Sequence, residues 1–326
     1  MIKLSIIVPF YGVEKYIGQC LESLFSQDIP AEEYEVICVN DCSPDNSEKI
    51  VLEYQNKHNN LILIRHEVNK KLGAARNTGL RAAQGNYVWF VDSDDYIQEN
   101  CLREITDMCE CENLDILHWS IQDNHNKWLN RFEDSNVTTG IDDLLTGSGD
   151  MTFPWNRLYN RGFLLKNGLW FNDLWGGDVI HTIQALNVAT RIKNSSKCYY
   201  YYRTDNMSSD MRSPITAQKV ISFCYILGQA LYESSSELSP RLLLLIDECT
   251  KWRLNNSFKP ILKMPFGEKR LFYSRMKEEV GLKDFVFSKA DKRVTFALKH
   301  PFFICLVHPF CYLYRIIKRE WNNTKN

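Results

Sequence analysis

The sequence predicts an α/β protein: a doubly wound, mainly parallel sheet with helices on both faces, followed by a mainly helical carboxyl-terminal region. Over residues 1–120, short apolar runs of strand length alternate with segments that have the periodicity of helices. The runs are apolar throughout, which is typical of strands buried on both faces. Helical crossovers between such strands imply parallel pairing.

The first predicted strand is 4–8, and apolar residues at helical spacing follow from Val13 to Phe25. The next predicted elements are strand 36–39, helix 47–57, strand 61–65, helix 72–83 and strand 87–91. After Asp115 this alternation stops, and the polar residues of 121–150 predict a loop. Structured patterns resume at 155–159, 163–171, 179–188 (a helix) and 199–202 (an aromatic strand), and 215–291 is mainly helical.

The composition is that of an ordinary globular protein, with 44% apolar and 24% charged residues, which argues against disordered and fibrous classes. With 39 basic and 40 acidic residues the chain is not a polycation, so we expect no nucleic-acid partner. The 11 cysteines contain no C-x-x-C pair, which favours a reducing, cytoplasmic compartment over a zinc or disulfide framework. No apolar run is long enough for a transmembrane helix, and the first residues fit a strand better than a signal peptide.

Ligands of open parallel sheets bind outside the carboxyl ends of the strands. The turns at those ends are Pro9-Phe10-Tyr11, Asn40-Asp41-Cys42-Ser43 and Asp92-Ser93-Asp94-Asp95. None contains a G-x-G-x-x-G or P-loop motif, so dinucleotide and Walker-type phosphate binding lack their signatures. The turns therefore predict a cleft lined by an aromatic ring and several carboxylates.

Asp92 and Asp94 are two residues apart at a strand end, where such side chains point to the same side and can face one hard cation. Mg²⁺ and Mn²⁺ typically take one or two protein carboxylates and fill the remaining positions with water and phosphate oxygens. A solvated turn that caps the following helix is the alternative interpretation of the same two residues.

Four motifs occur in order: IIVPFY at 6–11, VNDCS at 39–43, ARNTG at 75–79 and FVDSDDY at 90–96. This ordered set resembles the nucleotide-sugar domain of family 2 glycosyltransferases. WNRLY at 155–159, GD at 177–178 and YYR at 201–203 resemble the second half of the bacterial polysaccharide members. The resemblance covers roughly residues 3–210, so we expect a catalytic domain at 1–210, a helical region at 211–291 and a basic aromatic segment at 292–326.

The resemblance implies a GT-A fold that binds a nucleoside-diphosphate sugar and transfers the sugar with inversion. Pro9 and Tyr11 would line the nucleoside pocket, and Arg76 and Asp92 would help to hold the nucleotide. Asp41 would accept a hydrogen bond from the base. Because a carboxylate can only accept, the ring N–H of uracil, thymine or guanine fits it, which favours a UDP-sugar. For Arg76, an ion-paired arginine on a helix surface is the alternative.

By the same resemblance, Asp94, with Asp92 nearby, would hold Mn²⁺ or Mg²⁺ against the diphosphate, and Asp178 would be the general base that activates the acceptor hydroxyl. An ordinary helix N-cap is the alternative for Asp178, and the two roles are compatible. His181 shares a helix face with Asp178 and is either a partly buried neutral histidine or a supporting, metal-touching group. Trp175 is our candidate for the acceptor pocket, with core packing the alternative.

Six positions depart from the family pattern: Asn40 replaces Asp, Cys42 replaces Gly, Gly177 replaces the Glu before the base, Gly12 replaces a common Asn, and Lys70-Lys71 replaces a Gly pair. The two lysines either help to bind a diphosphate or form a solvated turn. Some of these departures support a second hypothesis, a catalytically degenerate module that binds a nucleotide sugar without chemistry. A third hypothesis, a dinucleotide-dependent oxidoreductase, lacks its glycine fingerprint.

Residues 292–326 contain seven Lys or Arg and one acidic residue, a net charge of +6, together with several aromatic residues. This combination is typical of a segment that lies on an anionic membrane surface, and packing on the protein core is the alternative. The Gln-x-x-Arg-Trp motif of processive members is absent. We therefore expect a peripheral enzyme on the cytoplasmic membrane that adds one sugar, or a few, to a glycan or lipid-linked acceptor in surface polysaccharide synthesis.

Overall fold

Nine strands and six helices make up the part of the chain that the structure, a computed structural model, describes: residues 1–138, 153–173 and 177–206. These residues belong to one compact unit, Met1–Arg212. The predicted helical region at 211–291 and the basic segment at 292–326 lie outside the described residues. Within the described ranges, no helix has the length and apolar character needed to cross a bilayer.

Strands and helices alternate through most of this unit, as predicted. The strands are β1 (Leu4–Phe10), β2 (Tyr34–Asn40), β3 (Leu61–Arg65), β4 (Tyr87–Phe90), β5 (Tyr96–Ile97), β6 (Ile116–Asp123), β7 (Trp128–Asn130), β8 (Arg157–Asn160) and β9 (Ile192–Tyr202). The helices are α1 (Ile17–Phe25), α2 (Ser47–Gln55), α3 (Lys71–Ala82), α4 (Leu102–Glu112), α5 (Arg161–Lys166) and α6 (Gly177–Val188).

The nine strands form one sheet in the order β3-β2-β1-β4-β8-β6-β9-β5, with β7 paired to β6. Pairing is parallel between β1 and its neighbours β2 and β4, between β2 and β3, and between β6 and β9. Strand β8 is antiparallel to both neighbours, and β5 and β7 are antiparallel to their partners. The predicted α/β class is confirmed, and the sheet is mixed: the described strands make four parallel and four antiparallel pairings, of which the parallel ones are the longer. The strands with only antiparallel neighbours, β5, β7 and β8, all follow β4 in sequence.

Burial on both faces explains the continuous apolar runs, as predicted, because every residue of β1 and β2 is buried. In the middle of the sheet, the Trp89 ring meets Trp119 edge to face with centroids 4.8 Å apart. The seven cysteines in the described residues are all free thiols. Two of them, Cys20 and Cys38, are fully buried, which suits a reduced thiol acting as a small hydrophobe.

The loop predicted for 121–150 is wrong at its start, because β6 continues to Asp123 and β7 follows it. Strand β6 carries polar side chains that are fully buried, His118 and Ser120. The Ser120 hydroxyl accepts from the Phe132 amide at 2.8 Å, and the His118 ring lies 2.6 Å from the Asn156 amide. These polar residues, buried with tertiary hydrogen-bond partners, interrupt the apolar pattern that would have predicted the strand. For the same reason β9, which carries the buried residues Asn194 and Ser195, begins well before the predicted 199–202. The two-residue strand β5 and the helix α4 were not predicted.

Helix α3 packs against β1 so closely that only glycine fits at the contact. A Cβ atom on Gly79 would lie 2.3 Å from Cγ2 of Ile7, whereas a Cβ on Gly18 in α1 would meet its nearest neighbour, Ile50, at 4.0 Å. We predict that Gly79→Ala lowers the free energy of unfolding by about 1–3 kcal/mol because the core must shift. The matched change Gly18→Ala should raise it by up to about 1 kcal/mol, since alanine has the higher helix propensity.

Urea unfolding of the two variants beside the wild type measures both changes. If Gly79→Ala were as stable as Gly18→Ala, the close contact between α3 and β1 would be wrong.

Candidate active site

Three parallel strands end at the same edge of the sheet, and the predicted site residues follow them. The Asp41 amide donates to the Phe10 carbonyl at 3.1 Å, and the Val91 amide donates to the Ile7 carbonyl at 2.9 Å. These bonds align the carboxyl ends of β1, β2 and β4. They place Tyr11, Asp41 and Asp92 along one rim, as the strand order predicts.

Pro9 and Tyr11 lie at the carboxyl end of β1. The β1–β4 register ends at Ile7 opposite Phe90, two residues before Pro9, which has no N–H to continue that ladder. Tyr11 follows the strand and is 51% exposed, an unusual value for an aromatic ring in this unit. Its ring is therefore accessible at the rim, where a base could stack on it.

Asp41 is almost fully buried, and three donors hold its carboxylate. Oδ1 accepts from the Lys70 amide at 2.8 Å and lies 2.7 Å from His66 Nδ1, while Oδ2 accepts from the Lys71 amide at 2.8 Å. The other His66 nitrogen lies 2.9 Å from the Thr78 hydroxyl. Because a carboxylate only accepts, Nδ1 of His66 carries the proton. His66 and the two amides therefore fix both the position and the orientation of Asp41.

The loop after β2 accommodates the departures at Asn40 and Cys42. The Asn40 side chain accepts from the Ser43 amide at 2.8 Å and donates to the Glu48 carboxylate, a bond that an aspartate could not make. Cys42 has a φ of 62°, the left-handed conformation in which glycine is the usual residue. The cysteine therefore holds the glycine-type backbone at a cost of about 1–2 kcal/mol.

The backbone also accommodates two other departures, Gly12 and the Lys70-Lys71 pair. Gly12 has a φ of 68° and donates its N–H to the Ser43 hydroxyl at 2.8 Å, a conformation that asparagine also tolerates. Lys71 has a φ of 76° while its N–H is bound to Asp41, and the side chains of Lys70 and Lys71 are exposed. Lys71 therefore keeps the left-handed backbone typical of glycine, whereas Lys70 has an ordinary φ of −102°, and the two lysines add exposed cations beside Asp41.

Arg76 in α3 is buried and pairs with Asp92 at the rim. Its Nη2 lies 2.6 Å from Asp92 Oδ1, its guanidinium lies 5.1 Å from the Phe171 ring centre, and the side chain is 2% exposed. The alternative of an arginine on the helix surface is therefore wrong, although the ion pair itself is present. The Asp92 side chain keeps 24% exposure, so its second oxygen can face a ligand.

The turn after β4 gathers three carboxylates. Burial raises the pKa of Asp94, and the charge of Asp92 raises it further. Asp95 is fully buried, and burial followed by the charges of Asp94 and Asp92 raises its pKa well above the ordinary value. The capping alternative is wrong, because β5 follows the turn and the next helix begins at Leu102.

Several donors hold this acidic turn in place. Asp95 accepts from the Tyr200 hydroxyl at 2.6 Å and from the Arg203 amide at 2.7 Å. Asp94 Oδ2 accepts from the Asn206 amide group at 2.7 Å, and Arg203 Nε donates to the Asp94 carbonyl at 2.6 Å. Sequence reasoning missed these supports because they come from about 110 residues away, beyond any local pattern.

The carboxylates of Asp92 and Asp94 suit a hard cation for two reasons. Their oxygens are the ligands that such ions prefer, and a divalent ion would relieve the repulsion between the two negative charges. Hydrogen bonds occupy one oxygen of each, Asp92 Oδ1 and Asp94 Oδ2. The described residues contain no group of three or more His, Cys, Asp or Glu side chains arranged to hold a metal. A cation at this turn would accordingly take one or two protein oxygens and draw the rest from a ligand and water.

Asp178 lies in the first turn of α6. Because the helix begins at Gly177 and not at residue 179, Asp178 is inside the helix and is not its N-cap. Its Oδ1 accepts from the Val179 amide at 3.0 Å, and the positive end of the helix dipole stabilises its charge. A Cβ on Gly177 would lie 2.3 Å from the Asn172 carbonyl oxygen, so a glutamate cannot occupy this position without a backbone shift.

The remaining aromatic and histidine candidates belong to the core or lie outside the described residues. His181 is fully buried and stacks on Phe171 with centroids 3.8 Å apart. Burial, and then Arg76 and Arg157, lowers its pKa to about 3, so it is a neutral core residue and more deeply buried than expected. Trp155 stacks on Tyr200 in the core. Trp175 lies outside the described residues.

A cavity of about 560 Å³ lies at the opposite edge of the sheet, where β4 begins and β8 ends, and its lining includes Tyr87, Glu110 and Asn160. No predicted site residue lines it. The rim where β1, β2 and β4 end is therefore the better candidate for chemistry.

The sequence profile described as Glycosyl transferase family 2 matches residues 5–168 of this chain. The chain is 34% identical over 221 residues to the poly(ribitol-phosphate) beta-N-acetylglucosaminyltransferase TarS of Staphylococcus aureus, a match covering 66% of this chain and 38% of that protein. It is 32% identical over 205 residues to a poly(ribitol-phosphate) beta-glucosyltransferase of Bacillus spizizenii, covering 61% of this chain and 32% of that protein. The matched regions thus span about a third of the length of these relatives, 38% and 32%.

Among solved structures, TarS 1–349 from S. aureus in complex with UDP-GlcNAc is similar with a TM-score of 0.76 and 25% identity. The match covers 99% of this chain and 92% of that chain. The likeness therefore extends to the fold as well as the sequence.

The ion pair between Arg76 and Asp92 is expected to matter for stability, because removing the arginine leaves a carboxylate beside Asp94 and Asp95 without its cation. We predict that Arg76→Ala lowers the free energy of unfolding by about 2–3 kcal/mol. The exposed pair of Arg65 and Glu48, at 2.9 Å, is the matched control, and Arg65→Ala should cost at most about 0.5 kcal/mol.

Urea unfolding at low ionic strength measures both effects. Equal losses in the two variants would contradict the assignment of Arg76 as the counter-charge of the acidic turn.

Proposed function

This chain belongs to glycosyl transferase family 2, and from that premise we propose that it transfers a sugar from a UDP-sugar to a hydroxyl of a glycan or lipid-linked saccharide, with inversion and without processivity. The observation that carries the proposal is that one helix, α3, holds two carboxylates of the rim. Asp41 is bound to the start of α3, and Asp92 is bound to Arg76 within it. The TarS structure with UDP-GlcNAc supports a UDP-sugar donor, and the names of two relatives, which specify poly(ribitol-phosphate), support a surface-polymer acceptor.

In this proposal Asp41 accepts a hydrogen bond from the base of the nucleotide. Its two oxygens offer about four acceptor positions, of which Lys70, Lys71 and His66 occupy three. One position on Oδ2 remains, and it suits a single N–H donor such as the ring N–H of uracil. Tyr11, exposed at the end of β1, would stack on the base, and Pro9 would form the floor of the same pocket.

The diphosphate would lie against the turn after β4. Asp94 and Asp92 would hold Mn²⁺ or Mg²⁺, and the ion would stabilise the negative charge that develops on the departing UDP. Arg76 keeps Asp92 oriented through the bond at 2.6 Å, and Asn206 holds Asp94 at 2.7 Å. Lys70 and Lys71, exposed at the start of α3, would add positive charge near the phosphates.

Asp178 would be the general base. The acceptor oxygen forms a bond to the anomeric carbon on the face opposite UDP, the carbon–oxygen bond to the diphosphate breaks, and the hydroxyl proton passes to the Asp178 carboxylate. One displacement of this kind inverts the configuration. The position of Asp178 in the first turn of α6 favours its ionised form, as a base requires.

The test is an assay of UDP-hexoses and UDP-N-acetylhexosamines with Mn²⁺, using poly(ribitol phosphate) and a lipid-linked saccharide as acceptors. We predict that Asp178→Asn keeps the Kd for UDP within about twofold and lowers transfer by about 10²–10⁴-fold, the usual contribution of a general base. Asp107→Asn, on the exposed face of α4, is the matched control and should behave as the wild type.

Near-normal turnover in Asp178→Asn would refute the base assignment. UDP binding without transfer or donor hydrolysis in the wild type would favour the degenerate binding module.

We also propose that residues 292–326 attach the enzyme to the cytoplasmic face of the membrane. The support is the net charge of +6 together with aromatic residues in this segment. Cations near an anionic leaflet contribute about 1 kcal/mol each, and aromatic rings anchor at the interface. A lipid-linked acceptor would then be presented at the same surface.

We predict that the full chain sediments with vesicles containing anionic lipid, and that deleting 292–326 releases it to the supernatant. Because the attraction is electrostatic, binding should weaken as salt rises. Neutral vesicles are the control. Equal binding to both lipids, or none to either, would rule out this attachment.

A further inference from the structure

A carboxamide in α3 clamps a distant backbone segment. Asn77 Nδ2 donates to the Phe171 carbonyl at 2.8 Å, and the Phe171 amide donates to Asn77 Oδ1 at 2.9 Å. The pair imitates the two-bond exchange between neighbouring strands, with a side chain in place of one strand. Both groups are buried, so neither bond can be replaced by water without rearrangement.

The residue after Phe171 lies between two glycines. A Cβ on Gly73 of α3 would lie 2.4 Å from the Asn172 carbonyl oxygen, and a Cβ on Gly177 of α6 would lie 2.3 Å from the same atom. The Asn172 carbonyl is therefore packed against both helices at once. Gly177 directly precedes Asp178, so the position of Asn172 limits where the first turn of α6 can lie.

Ring contacts fix the same segment from its other sides. Phe171 meets Phe90 edge to face at 4.8 Å and stacks on His181 of α6 at 3.8 Å. The guanidinium of Arg81 lies 5.0 Å from the centre of the Trp170 ring. Two helices thus contact one short stretch of backbone, and Asn77 makes two buried hydrogen bonds to it.

From this arrangement we infer that Asn77 is a positioning residue for Asp178: its carboxamide holds Phe171 and Asn172 on α3, and Asn172 in turn sets the start of α6. The inference rests on the proposed function for the chemistry of Asp178, whereas the linkage between α3 and α6 stands on the contacts alone. Asn77 itself touches no reacting atom in this scheme. A displacement of about 1 Å at a base can cost about 10²-fold in rate, so the clamp would act on turnover.

The test compares Asn77→Ala, which removes both bonds, with Asn77→Asp, which keeps an acceptor for the Phe171 amide and loses the donor. Asn60→Ala is the matched control, since Asn60 Nδ2 donates to the Tyr34 carbonyl at 3.2 Å, far from the rim. Each protein is measured for Tm, Kd for UDP, kcat and KM for transfer, and amide hydrogen exchange.

For Asn77→Ala we expect at least tenfold faster exchange of the Phe171 amide and of amides 181–185 in α6. We expect kcat to fall by about 10–100-fold while the Kd for UDP stays within about twofold. Asn77→Asp should be intermediate, and Asn60→Ala should lose some Tm while keeping kcat.

Unchanged exchange in α6 would overturn the linkage, whatever the activity. A loss of UDP affinity equal to the loss of kcat would assign Asn77 to the nucleotide site instead. If the wild type transfers no sugar, the proposed function fails, and the exchange of α6 in Asn77→Ala still decides whether Asn77 positions its first turn.

Discussion

The close packing of α3 is the constraint on which the rim depends. Glycines at 79 and 73 let the helix approach β1 on one side and the Asn172 carbonyl on the other. From this fixed position α3 binds Asp41 at its start, and five residues later, about 7.5 Å along the axis, its Arg76 binds Asp92. The helix therefore ties the ends of β2 and β4 to each other as well as to the sheet. A shift of α3 would displace both carboxylates together.

The acidic turn after β4 is held in an arrangement that repulsion opposes. Burial and neighbouring charge raise the pKa values of Asp94 and Asp95, so the folded chain does not hold these carboxylates in their most stable surroundings. Arg76, Tyr200 and Arg203 donate to the turn and offset part of that cost. Such an arrangement is typical of sites that bind a cation or a reacting group.

The fold and the positions of the rim residues could be predicted because both follow from local patterns. Apolar runs gave β1 to β4, and strand ends located Asp41 and Asp92. The partners of these residues could not be predicted: His66 meets Asp41 from 25 positions away, and Asn206 meets Asp94 from 112. Strand β6 was predicted too short because its buried polar residues His118 and Ser120 have partners in distant parts of the chain, Asn156 and Phe132, and the local sequence pattern contains no sign of these contacts.

In the sequence alone, the departures from the family pattern support a degenerate module that lacks catalysis. The structure weakens that support, because it shows how the fold accommodates them. Asn40 gives its donor to Glu48, Cys42 keeps the left-handed backbone of the glycine it replaces, and Gly177 leaves room for the Asn172 carbonyl. Each replacement is thus accommodated by a neighbouring group or by the local backbone conformation. The repulsion between Asp92 and Asp94 is a cost that a bound cation would relieve, in addition to the donors that already hold the turn. The compensated positions and the charge of this turn are therefore compatible with the catalytic function proposed above, in which a cation would bind beside Asp92 and Asp94.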